Sequence, residues 1–168
     1  LINEQPNGDF AHTIARLLFV ATYEYLFYSE LMRSADERLA SIAAKVVKES
    51  RYHMTHANDW AIRLGNGTDE SQRRMQAAID ALWMFTGEMF ETDAVDALLR
   101  DKNIAVDLGK IKPVWMERIT EMVKMSGLSM PEGAYMQSGG LKGIHTEYLG
   151  HMLTEMQYLQ RAYPDAAW

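Results

Sequence analysis

Apolar residues recur every three to four positions along nearly the whole chain, which places them on single faces of α-helices. Asn7-Gly8-Asp9 supplies a turn and an N-cap, and a helix is predicted from Phe10 to Arg33 with Phe10, Ile14, Leu17, Ala21, Tyr25 and Tyr28 on one face. After Ser34-Ala35-Asp36 a second helix is predicted over Glu37 to Leu64, with a stripe of Leu39, Ile42, Ala43, Val46, Ala57, Trp60, Ala61 and Leu64. Gly65-Asn66-Gly67 stops it, since both residue types tolerate a left-handed cap.

A third helix is predicted from Thr68-Asp69 to Phe90, and a short fourth from Thr92 to Lys102. A fifth starts at Pro113, a residue suited to a first turn, and stops at Gly127. The longest loop spans 129–143, and a last helix spans Ile144 to Ala162 before Pro164. No strand, internal repeat or low-complexity tract is needed. The fold class is therefore all-α in a single domain, residues 1–168. The first two helices, roughly 36–42 Å long with a short joint, are antiparallel neighbours and form half of a long four-helix bundle.

Composition narrows the chemistry. The chain is 48% hydrophobic and 24% charged, with a net charge of −6 and a pI near 5.3, which argues against a general nucleic-acid binder. Arg73-Arg74 reads as solvated helix charge. The absence of cysteine removes disulfides, thiolate nucleophiles and cysteine metal sites, and is compatible with a cytoplasmic setting. No apolar run approaches the roughly 18 residues of a membrane span, and no signal-peptide pattern opens the chain. Twelve Met and four Trp suit large helical contacts. The glycines of 139–143 read as a connector, since no strand precedes them and no phosphate-loop pattern is complete. Nothing supports a nucleophilic hydrolase.

One stretch carries candidate metal chemistry. Residues 48–56 read KESRYHMTH, and di-iron four-helix proteins use Glu-x-x-His on an inward helix face. With the stripe through Leu39 and Ala57 as centre, Ser50 falls within ~20° and His53 within ~40°, while Glu49 and His56 stand roughly 80–100° away. The core-facing i, i+3 pair is thus Ser50 and His53, with serine where the pattern needs a carboxylate. On the first helix Glu24 falls within ~40° of the apolar centre. Three readings of Glu24 stand: a buried contact with His53 or Ser50, a remnant metal ligand, or a solvated group. On the last helix Glu147 and His151 can pair at i, i+4 opposite the apolar stripe, and Gly150 between them leaves a smooth spot where a partner could approach.

The segments NEQPNGDFAHTIARLL (3–18), AAKVVKESRYHMTHANDWAIRLGNGTDES (43–71), MQAAIDALW (75–83) and GGLKGIHTEYLGHMLTEMQYLQRAYP (139–164) resemble the C-subunit family of bacterial ring-1,2-phenylacetyl-CoA epoxidases. The resemblance runs in order over nearly the whole chain. It implies a ferritin-like fold in which this chain is the carboxy-terminal two-thirds of a longer one, lacking the first long helices. It further implies a non-catalytic structural subunit, with no cofactor of its own. The di-iron site is expected in a related catalytic A subunit as partner, and phenylacetyl-CoA is met only indirectly. A homo-oligomer is also expected of the apolar helix faces; neither nucleic acid nor membrane is expected as a partner. Glu24, Ser50 and His53 become positions of a degenerate metal site, and Glu147, Gly150 and His151 a candidate partner interface. The alternative is an autonomous di-metal protein using Glu24 and His53.

Overall fold

The computed structural model describes residues 1–133 and 135–167, which form helices with no strand among them. They are α1 (Phe10–Leu31), α2 (Glu37–Gly65), α3 (Asp69–Trp83), α4 (Ala94–Asp101), α5 (Leu108–Met125), α6 (Glu147–Met156) and α7 (Tyr158–Ala162). Short 3-10 turns cover Ile2–Glu4, Gly87–Phe90 and Gly140–Lys142.

Side-chain caps set most helix starts. Asp9 accepts from the His12 N–H at 3.1 Å, and Asp36 accepts from Arg38 and Leu39. Thr68 with Ser71, and Asp93 with Asp96, form reciprocal capping boxes. The α1–α2 joint is pinned to the distant chain, where Ala35 N–H donates to the Asn103 carbonyl and the Ser34 hydroxyl to that of Ile104, both at 2.8 Å.

The long α1–α2 hairpin packs along one side against α3 and α5. Between these layers lie Ile14, Leu18, Phe19, Met75, Ile79 and Ile119. At one end Phe19, Trp83, Phe90 and Trp115 make an aromatic cluster, and the Trp115 indole N–H donates to the Phe19 carbonyl at 3.0 Å. At the other end a clasp joins α2, α3 and α5. A Cβ on Gly65 would fall 2.0 Å from the Ser126 carbonyl oxygen, so only glycine fits there. Asn66 donates to the Met125 carbonyl at 3.0 Å, Gln72 to that of Gly127 at 3.1 Å, and Gln76 exchanges two bonds with the Ser129 backbone.

The first helix ends at Leu31, two residues short of Arg33, and three others differ more from expectation. The third helix ends at Trp83 instead of Phe90, because Phe85 and Thr86 turn inward and the Thr86 hydroxyl caps the Trp83 carbonyl at 2.8 Å. The fifth starts five residues before Pro113, at Leu108, where Asp107 accepts from the Gly109 N–H at 3.1 Å. The last starts at Glu147 instead of Ile144 and is broken at Gln157.

No described residue from Leu141 onward is fully buried. This terminal arm is held at its root by Glu4, which accepts from the Thr146 N–H and hydroxyl at 2.8 Å each and lies 2.7 Å from His145 Nδ1. Tyr148, Met152, Leu153, Met156 and Leu159 are all exposed along its apolar face.

Candidate functional site

The buried stripe of α2 consists of Ala43, Ser50, Ala57, Ala61 and Gly65. Every one is small, which lets the neighbouring helices approach closely. The large apolar Ile42 is instead exposed on the flank, and Leu39, in line with Ala57, is exposed in the first turn of the helix. Ser50 is inward as expected, only 2% exposed. His53 is not: it lies on the surface, about 70° round the helix from the true stripe. Weighting the wheel by large side chains turned the predicted face toward His53, whereas close packing selects for smallness.

The same correction applies to α1. Its buried face runs through Ala11, Ile14, Ala15, Leu18, Phe19, Ala21, Thr22 and Leu26, so Ile14 and Ala21 are inward as expected while Phe10 is exposed. Glu24 stands about 140° away from that face. It is half-buried, on the flank beside α2, and makes no hydrogen bond or ion pair with Ser50 or His53 among the described residues. Burial pushes its carboxyl above the usual range, with nearby His53 pulling partly the other way. The contact expected between Glu24 and the α2 pair is therefore a through-space influence.

Glu24 opens instead into a cleft of about 460 Å³. One wall is the outer flank of α1: Val20, Tyr23, Glu24, Phe27 and Tyr28. Ile2, Glu88, Met89 and Leu141 close the other side. Tyr23 stacks on Phe27 at 5.7 Å, and Phe27 meets Tyr28 edge-on at 5.5 Å. Burial, reinforced by Asp96, pushes the Tyr23 phenol up to about 12. Glu88 accepts from the backbone nitrogen of Leu1 and from the Gly140 N–H at 3.3 Å. Helical periodicity missed this cleft, since it depends on where the Ile2–Glu4 turn and the 139–145 loop fold back. The i, i+4 aromatic pair Tyr23 and Phe27 was the available signal.

The donor set of the described residues does not fit a di-metal centre. Such a site needs carboxylates and histidines converging on a shared point. Ser50 offers a neutral hydroxyl, His53 faces solvent, and no group of three or more His, Asp or Glu among the described residues is arranged to hold a metal ion. On the arm, Glu147, Gly150 and His151 are exposed, and no ion pair joins Glu147 to His151 among the described residues. His145, just before the arm, is engaged with Glu4. No helix is long and apolar enough to cross a membrane among the described residues.

A family model described as phenylacetic acid catabolic protein matches residues 1–168. The chain is 45% identical over 168 residues to the C subunit of the 1,2-phenylacetyl-CoA epoxidase of Escherichia coli (strain K12). That match takes in all of this chain and 68% of the relative. The helical architecture is of the ferritin-like kind, with the α1–α2 hairpin as its long antiparallel pair. With identity at this level along its whole length, the chain belongs to the phenylacetic acid catabolic protein family.

Proposed function

We propose that this chain is a non-catalytic, cytoplasmic scaffold subunit of a phenylacetyl-CoA 1,2-epoxidase complex, supporting a di-iron catalytic A subunit through its helix faces. The observation that carries this reading is Ser50: the slot that would need a carboxylate ligand is filled by a buried serine in a stripe of small residues. The similarity to the C subunit of such an enzyme supports membership in an assembly of that kind. The exposed face of the α6–α7 arm, edged by Glu147, Gly150 and His151, supplies apolar surface for docking. Copurification tests the reading: full-length protein coexpressed with the A subunit is expected to give a stable complex. Two proteins that elute separately at micromolar concentration would overturn it.

The autonomous di-metal reading keeps one observation, that Glu24 and His53 lie close enough to influence each other. Iron loading of full-length protein followed by elemental analysis decides it, because a complete ligand set fills. Under ~0.1 metal per chain is expected on the scaffold reading, and near-stoichiometric metal would reverse the two.

A further inference from the structure

We propose that the cleft on the outer flank of α1 binds an alkylammonium group, a primary cation carried on an apolar stem. The inference goes beyond the scaffold reading and does not depend on it.

Three observations meet in the cleft. Its size, about 460 Å³, suits a small organic group or one long side chain. Its walls are aromatic and aliphatic: on α1 Tyr23 and Phe27 stand to one side of Glu24 and Tyr28 to the other, with Val20, Met89 and Leu141 nearby. Aromatic faces attract cations through their quadrupole, and most strongly where water is thinned out. The third is Glu24, whose half-buried carboxylate accepts no hydrogen bond from any described residue. A carboxylate drawn partly out of water is costly unless a donor or cation meets it. Its neighbour Glu88 is already satisfied by the Leu1 nitrogen and the Gly140 N–H. Glu24 is thus the open polar anchor and the aromatic wall is the seat for the stem.

The charge pattern also excludes the obvious competitor. Two carboxylates line the cleft; the Leu1 nitrogen and His145 border it too, the first held by Glu88 and the second by Glu4, and no lysine or arginine lines it among the described residues. A polyanion such as a nucleotide phosphate is repelled there, so the nucleotide end of a coenzyme A thioester is not the expected occupant. A compact divalent ion is disfavoured too, because it would gain one free carboxylate and no converging second ligand. The same ammonium chemistry has two sources, a free aliphatic amine or a lysine side chain from a protein.

The test uses full-length protein with ¹³C-methyl methionine, titrated separately with n-pentylammonium, Nα-acetyl-lysine methylamide and neutral n-pentanol. Both cations are expected to shift the Met89 methyl resonance saturably, with n-pentanol about tenfold weaker. Glu24→Gln, isosteric and uncharged, is expected to weaken both cations about tenfold while leaving the methionines of the core unshifted. Phe27→Leu keeps the carboxylate and removes the aromatic face, and is expected to weaken them about threefold. Tighter binding of the lysine derivative assigns the source to a protein side chain, and tighter binding of pentylammonium assigns it to a free amine; either supports the proposal. Equal affinity for n-pentanol, unchanged binding in Glu24→Gln, displacement of the probes by stoichiometric manganese(II), or no shift of Met89 at all overturns it.

Discussion

Ser50 lies between Ala43 and Ala57 on a stripe where helices touch closely, so what it tolerates is set by volume and polarity. Ser50→Ala is expected to change stability by less than about 1 kcal/mol, since volume is nearly kept. Ser50→Glu, which restores the sequence pattern of a ligand pair, is expected to cost roughly 3 kcal/mol or more by burying a charge with no partner. Thermal melts of the two variants check this, and a Glu variant as stable as the parent would show that the slot has room and a counter-charge. Glu24 carries a pH signature of opposite character. Its folded-state carboxyl is raised by burial, so the ionised form weakens the fold above that raised value. The penalty disappears as pH falls below the ordinary glutamate value of 4.5, where both states are protonated. Glu24→Gln is therefore expected to melt higher than the parent at pH 7 and equally at pH 4 or below, by circular dichroism at both values. The sequence showed Ser50 in the core because its spacing from Ala43 and Ala57 is unambiguous. It did not show His53 on the surface, because on α2 the exposed flank holds larger apolar side chains than the buried stripe.

At the scale of the helices, the clasp is the most demanding contact. Gly65→Ala drives a Cβ against the Ser126 carbonyl, and α2 or α5 must shift to admit it. A loss of about 3 kcal/mol is expected, measured by urea denaturation. Trp115→Phe keeps most of the aromatic contact but removes the indole donor to Phe19, and about 1–2 kcal/mol is the expected cost. The arm responds differently. Burial raises the Glu4 carboxyl, but the bonds from Thr146 and His145 outweigh that and hold it below the usual range. The latch is thus fully formed at neutral pH and is lost as pH falls through that lowered value. Glu4→Gln is expected to speed amide exchange over 147–162 while leaving the core amides of α1 and α5 unchanged. Helix existence was legible from periodicity throughout. The boundaries at Trp83, Leu108 and Gln157 were not, because they are set by an inward-turning Phe85, by Asp107 as a cap upstream of Pro113, and by an arm whose apolar face meets no neighbouring layer.

For the molecule as a whole, the all-α class and the antiparallel α1–α2 pair follow from the sequence, since two long helical runs with a three-residue joint have few other solutions. Which side of that pair is covered does not follow, because α1 is apolar almost all round and its period defines no single face. The packed layers and the arm also separate energetically. Truncation after Thr146 removes no buried residue among those described, so the body is expected to keep its melting temperature within a few degrees. The same truncation is expected to weaken capture of the A subunit if the arm is the docking surface, and a truncated chain that still copurifies fully would move the interface elsewhere.

The latch at Glu4 also has a meaning in time. Its partners lie 141 and 142 positions further along the chain. A ribosome adding about 5–20 residues per second leaves about 7–28 seconds between making the acceptor and making the donors. During that interval the α1–α2 hairpin can form from local contacts, and the arm's root has nothing to close upon. A nascent chain that has not reached residue 145 therefore has no partner for Glu4 at this site. The latch therefore closes late in synthesis, after the helices of the packed layers have been made.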